Sequence, residues 1–318
     1  MPKYCELREV NDLKDHGPSP LRSMHVPEMI NIEVTTRCPL KCPQCYCDLH
    51  RGNDIDLELA LKYIEQAAAL KIPYISLSGG ETLVYPHLTE LLKAIRDRGI
   101  HSAIAISGWG FNAVRLQELK KAGIDEIYVS LNGSEPEVNE RSRQGYELAL
   151  KALRLLQAHQ YADYYINWVA RNDNAADFPK LVQLAQSLGV KGVVVLESKP
   201  DADNALQAPL SRENFVMLAE YIKKHDRRTI SIEIEPCFSP LRAFIQQRLF
   251  GNSNTGFDKG CGAGRANMAI DVKGNFLPCR HLLYPEVYNR IEDYWRDSEV
   301  LVMLRKFEDN KKEPCRSC

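Results

Sequence analysis

Cys38, Cys42 and Cys45 stand at CxxxCxxC spacing within eight residues, directly after the β-branched run 30–36. A structural zinc site is normally closed by four ligands. Three thiolates on a cube of four irons leave one iron open, and an open iron can bind something that reacts. Alone, the triplet also fits part of a zinc site or chance. Four more cysteines group at the other end, Cys261, Cys279, Cys315 and Cys318, and Cys47 lies beside the triplet. Cys5 and Cys237 stand apart. Ten cysteines in a reducing compartment point to metal or redox chemistry ahead of disulfides.

The elements that must position these thiols alternate regularly. Strand-like runs at 30–36, 74–78, 102–107, 126–131, 164–170 and 192–197 are each followed by a helical pattern, at 56–70, 88–98, 112–122, 145–158, 176–188 and 212–224. Six β/α units in a row predict a parallel sheet with helices outside. Six fall short of the eight in a closed barrel, so the expected shape is a partial, open (β/α)6 TIM barrel, with a doubly wound sheet as the alternative. In both, chemistry belongs at the C-terminal strand ends, where the first cysteine loop lies. A seventh strand-like run covers 229–235 and leads to Cys237. Residues 250–260 are turn-rich and mark a boundary. The stretch after Cys261 is too short for its own core, and a metal centre would supply the missing stability. The organisation read here is an irregular arm over 1–27, a barrel core over 28–228 and a small extension over 229–318.

Bulk properties exclude other classes. The 318 residues are 44% hydrophobic and carry a formal net charge of -1, so no global field draws nucleic acid or an anionic membrane. The mixed charges over 305–312 read as a solvated helix face. The polar start lacks a signal-peptide core and no apolar run is long enough to span a bilayer, so the expected location is cytoplasmic.

Taken in order, the motifs resemble the radical S-adenosylmethionine superfamily. Cys38, Cys42 and Cys45 match its CxxxCxxC. Ser78-Gly79-Gly80-Glu81 is similar to its GGE motif, and Ser130-Leu131-Asn132-Gly133 to its SLDG segment. The residue before the third cysteine, usually aromatic in the family, is Gln44, with Tyr46 just after. Cys261, then Gly274 and Cys279, then Cys315 and Cys318 resemble the twitch domain, the half-size SPASM extension. The resemblance implies a [4Fe-4S] cluster on the first three thiols, which cleaves S-adenosylmethionine reductively to a 5′-deoxyadenosyl radical that abstracts a substrate hydrogen. It implies a second, auxiliary [4Fe-4S] cluster on the last four thiols; a zinc ribbon is the bland alternative.

Roles implied by the resemblance follow residue by residue. Gly79 and Gly80 let the backbone approach the methionine end of the cofactor, and Glu81 could accept from its ammonium. Ser130 and Arg143 suit the carboxylate, with Arg141 as rival. Asn167 on the fifth strand and Ser107 in the 107–110 turn are further cofactor contacts, while Trp109 either lines the pocket or packs. Cys47 reads as structural. Cys237 could return a hydrogen atom to a substrate radical, pack as a small hydrophobe, or bind substrate. Glu197, Asp201 and Glu235 are candidate bases. The expected substrate is a ribosomally made peptide, receiving a crosslink, thioether or epimerisation, although residues 1–27 are too few for a leader-recognition domain. The alternatives are oxidation or epimerisation of a small polar molecule such as an aminosugar and, more remotely, a non-catalytic electron carrier. A flavodoxin- or ferredoxin-type reductant is the expected partner.

Overall fold

The computed structural model describes residues 25–47, 52–199, 209–226, 228–250 and 260–306. Cys5, Asp201, Cys315, Cys318 and most of the 1–27, 250–260 and 305–312 stretches lie outside the described residues.

Seven strands run parallel in sequence order: β1 (Met29–Thr35), β2 (Tyr74–Gly79), β3 (His101–Ile106), β4 (Glu126–Ser130), β5 (Tyr164–Ala170), β6 (Gly192–Glu197) and β7 (Ser231–Ile234). Between them lie α1 (Leu57–Ala69), α2 (Leu88–Asp97), α3 (Ala113–Ala122), the one-turn α4 (Pro136–Asn139), α5 (Tyr146–Ala158), α6 (Phe178–Ser187) and α7 (Arg212–Lys224). The strands are apolar and buried along most of their length, as expected when both faces are covered. Each helix presents one stripe to the sheet: in α2 that stripe is Leu88, Leu91, Leu92 and Ile95, at helical spacing. Caps set the boundaries. Asp56, Asn112 and Ser211 accept from the backbone N–H three residues on, and Gly123 ends α3 in the left-handed region.

The strand order is β7-β6-β5-β4-β3-β2-β1-β8-β9, where β8 is Asn267–Ile270 and β9 is Phe276–Leu277. The β7 and β9 edges do not pair, so the described sheet is open, as a partial barrel should be. β7 lies parallel beside β6, so the 229–318 extension starts on a strand of this same sheet. β8 lies parallel to β1 on its other side, and β9 returns antiparallel. Gly274, at φ 82°, makes the turn between them, as the sequence suggested. This hairpin is clasped by α1. Tyr63 Oη donates to Gly274 O at 2.9 Å, and Ile291 N donates to Gln66 Oε1 at 2.8 Å.

Helices α8 (Ser239–Phe250), α9 (Ile291–Asp297) and α10 (Glu299–Arg305) follow. Inside the sheet, Tyr74, Tyr128, Tyr165 and Val194 form a small second core. Tyr74 and Tyr128 both donate to Glu126 Oε2 at 2.9 Å.

Candidate active site

The loop carrying Cys38, Cys42 and Cys45 leaves β1 and is pinned by the turn after β2. Gly80 N donates to Thr35 O at 2.7 Å and Glu81 N to Arg37 O at 2.9 Å. A Cβ on Gly79 would stand 2.1 Å from Thr35 O, and one on Gly80 would stand 2.3 Å from Arg37 O. Gly79 also has φ +144°. Two backbones can approach this closely only because no side chain intervenes. Arg37 pairs with Asp54, Nη2 to Oδ2 at 2.6 Å, and fixes the loop from outside.

Glu81 is 1% exposed. Its carboxylate accepts from Leu83 N at 3.1 Å, from Ser107 N at 2.8 Å and from Ser107 Oγ. Burial raises its pKa, opposed by those bonds to Ser107 and Leu83 and by the charge of Arg143. The side chain therefore ties the end of β2 to the end of β3 and does not line the cavity described below.

Asn132, 1% exposed, joins four segments. Its Nδ2 donates to Gln44 Oε1 at 2.8 Å and to Ser142 Oγ at 2.9 Å. Its Oδ1 accepts from Val169 N, and its carbonyl accepts from Trp168 Nε1 and Asn174 Nδ2. Gln44, the departure from the family pattern, is thus matched to the Asn of the Ser-Leu-Asn-Gly segment by a direct hydrogen bond.

At the C-terminal strand ends a cavity of about 280 Å3 opens. Cys38, Cys42 and Cys45 line it, with Gly79, Gly80, Ser107, Ser130, Arg143 and Asn167. Ser130 and Asn167 are register partners across β4 and β5, so they reach it side by side. Arg143 Nε is buried and has no hydrogen-bond partner among the described residues. Arg141 points elsewhere and donates to Asp173 O at 3.0 Å. Trp109 is half exposed. The residues fit a thiolate-held cluster with an anionic ligand beside it. Three thiols share one wall, and a buried guanidinium nitrogen awaits an acceptor. Burial pushes the Cys38 thiol up to about 11; its neighbours Glu81, Cys42 and Cys45 add to this, and only the Leu40 amide opposes it. A bound cationic centre would favour the thiolates that this environment disfavours.

The opposite wall comes from β6, β7 and the C-terminal hairpin. Lys199 Nζ and Glu235 Oε1 pair at 2.5 Å, both largely buried, and Glu197 N also donates to Glu235. His281 joins them and packs against Tyr46, ring centroids 4.2 Å apart. Desolvation beside the cavity, then the charges of Lys199 and Arg280, lower the His281 pKa to about 3. Arg280 forms a buried ion pair with Glu33 on β1. Cys47 lines the cavity as well, its thiol donating to Gly79 O at 3.3 Å.

Sequence reasoning named Glu197 and Glu235 but missed Lys199, His281 and Arg280. Lys199 had a usable signal, a charge just past a strand end. His281 and Arg280 had none, because a hairpin far along the chain carries them in. Cys237 does not line the cavity. The mutual influence of the Cys237 and Cys261 thiols lowers the pKa of Cys261 and raises that of Cys237. Cys279 Sγ accepts from His281 N at 3.4 Å.

An open parallel sheet with a three-thiol loop after its first strand defines a class, and the comparisons agree. The radical SAM superfamily matches residues 32–185, and the chain carries a radical SAM domain there. It is 26% identical over 319 residues to the PqqA peptide cyclase of Ruegeria pomeroyi, covering 95% of this chain and 82% of the relative. Among solved structures it resembles Streptococcus suis SuiB bound to precursor peptide SuiA, with TM-score 0.76, 19% identity and coverage of 93% and 70%. It also resembles native anSMEcpe with bound AdoMet and Cp18Cys peptide, with TM-score 0.68, 14% identity and coverage of 91% and 85%. Among the described residues no helix is long and apolar enough to cross a membrane.

Proposed function

We propose that this chain is a radical S-adenosylmethionine enzyme that modifies a ribosomally made peptide by crosslinking, thioether formation or epimerisation. The observation that carries this reading is the cavity where three thiols meet Ser130, Asn167 and a buried, unpartnered Arg143 nitrogen. The peptide class is supported by the curated relative, whose name is that of a peptide cyclase, and by two structural neighbours solved with peptides.

Cys38, Cys42 and Cys45 would hold the first [4Fe-4S] cluster. Arg143 would receive the cofactor carboxylate, with Ser130 and Asn167 beside it. When bound, the cluster and S-adenosylmethionine supply the reductive chemistry that starts hydrogen abstraction. The chain's own residues orient them. The Gly79–Gly80 turn fixes the thiol loop, and Glu81 braces that turn through Ser107. Lys199, Glu235 and His281 would face the peptide. Cys261, Cys279, Cys315 and Cys318 would belong to a twitch-type extension over 229–318 that holds a second [4Fe-4S] cluster. A cytoplasmic setting with a flavodoxin- or ferredoxin-type reductant suits such chemistry.

The test is anaerobic reconstitution followed by dithionite and S-adenosylmethionine. Release of 5′-deoxyadenosine, lost when Cys38, Cys42 and Cys45 are changed to Ala, is the expected result. Iron-bearing protein that releases none would be a carrier, and a colourless zinc protein would end the reading. A short peptide encoded beside the gene should then change mass, or α-carbon configuration, only in the complete reaction.

A further inference from the structure

Arg143 reaches the cavity from an irregular stretch and not from a strand end. Residues 140–145 lie between α4 and α5 and belong to neither helix. A long side chain on such a stretch would ordinarily sweep its guanidinium over many positions. Yet Arg143 Nε is buried, with no hydrogen-bond partner among the described residues. The hold must therefore act on the backbone that carries it.

Asn139, the last residue of α4, supplies that hold and is 1% exposed. Its Nδ2 donates to Arg143 O at 2.7 Å, and its carbonyl accepts from Arg143 N at 2.8 Å. Both backbone polar groups of Arg143 are thus bonded to one residue. Asn139 Oδ1 in turn accepts from Asn132 N at 2.8 Å, just past the end of β4. Glu140 Oε1 accepts from Gly145 N and Tyr146 N, both at 3.0 Å, and closes the far side of the stretch. The thiol loop grips both neighbours of Arg143: Gln44 N donates to Ser142 O at 3.2 Å, and Lys41 N to Gln144 Oε1 at 2.8 Å. Gly133 makes room for α4, since a Cβ there would stand 2.6 Å from Asn139 N. Asn139 itself is absent from the cavity wall. Its buried amide commits both ends to backbone groups, so it acts on the site only through what it holds.

We propose that Asn139 is a positioning residue: it fixes Arg143 relative to the Cys38–Cys45 loop, and the site thereby selects S-adenosylmethionine by its carboxylate. This rests on the reading above, in which Arg143 receives that carboxylate. An ion pair between a guanidinium and a carboxylate is directional and tolerates little misplacement. A loosened Arg143 therefore loses its preference for the carboxylate before the protein loses its fold.

The experiment uses the cluster-loaded full chain without reductant, so that binding is read and nothing turns over. Calorimetry gives the affinity for S-adenosylmethionine and for its decarboxylated analogue, and the ratio of the two is the readout. Arg143→Met sets the scale and should lower that ratio about tenfold or more. Asn139→Asp keeps the side-chain shape and the acceptor for Asn132 N, but removes the donor to Arg143 O. Its ratio should fall about tenfold, through S-adenosylmethionine alone, with iron content and analogue affinity unchanged. Asn139→Ala should show the same fall without an added charge; Asn139→Asp decides if Asn139→Ala does not fold. An unchanged ratio in Asn139→Asp, equal losses for both ligands, or a fall that a folded Asn139→Ala does not share would overturn the proposal. Each of these leaves the Arg143 reading standing if Arg143→Met lowers the ratio. An unchanged ratio in Arg143→Met, or no binding of either ligand by the unaltered protein, would overturn both.

Discussion

The two cysteine regions are assembled by opposite means. The Cys38–Cys45 loop is short and local, and backbone hydrogen bonds to the next strand turn set its shape. The C-terminal region that carries Cys261 and Cys279 is gathered from distant stretches, with two buried ion pairs, Arg280 to Glu33 and Lys199 to Glu235, and a partly exposed ring contact of His281 on Tyr46. A local loop depends on the absence of atoms at Gly79 and Gly80. A gathered site depends on charges that find each other only after the sheet is built.

The sharpest way to break this contrast is Arg280→Met, which strikes the gathered side. It leaves the Glu33 carboxylate buried without its countercharge, at a cost of about 3–5 kcal/mol. Glu33 already has a raised pKa, chiefly from burial and despite Arg280. The folded form therefore holds this proton more tightly than the unfolded one, and stability falls as pH rises above the ordinary carboxylate range. Without Arg280 that window extends upward. Melting curves at about pH 5 and about pH 8 should show the deficit shrinking at the lower pH.

Gly80→Ala strikes the local side. Its Cβ meets backbone at 2.3 Å, so the Cys loop must shift, at about 1–3 kcal/mol. The readout is iron from the first cluster in a Cys261→Ala, Cys279→Ala background, which should drop while the melting temperature changes modestly. Asn132→Ala tests what joins the loop to the β4 and β5 ends. It strands the Val169 N–H and removes the Asn132–Gln44 side-chain bond, costing about 1–3 kcal/mol, measured by chemical denaturation. Its affinity for S-adenosylmethionine, by calorimetry, should fall further than stability accounts for. The smallest effect belongs to Cys47→Ala, which loses one weak S–H bond to Gly79 O. Stability should change by less than about 1 kcal/mol and iron content not at all.

Much of the barrel was legible because its code is local. Apolar runs of five to seven residues, caps such as Asp56 and Asn112, and helical stripes fix each β/α unit without reference to the rest. β5, β6 and α7 run over the same residues that the pattern indicates. The one-turn α4 was missed because four residues carry no period, and α8 because Pro240 and the turn-rich stretch after it obscure the pattern. In the site, cysteine spacing and the glycine pair were visible as motifs, but the glycines' contact with Thr35 and Arg37 was not. Glu81 shows the limit well. Its motif suggested a cofactor contact, whereas only the fold reveals a carboxylate enclosed by Ser107 and Leu83. Arg280 and His281 were illegible because their partners on β1 and in the first loop lie more than 200 positions away.

The clasp of α1 on the C-terminal hairpin sets a timetable. β1 is synthesised long before its partner β8, so one of its edges stays bare until residues 267–270 emerge and pair with it. Tyr63 waits 211 positions for its acceptor. A nascent chain thus carries an exposed strand edge while more than 200 intervening residues are made, the condition under which long-range sheets are slowest and most prone to misassociate. Ribosome-released fragments ending before residue 267 should sediment with aggregates, and the whole chain should not.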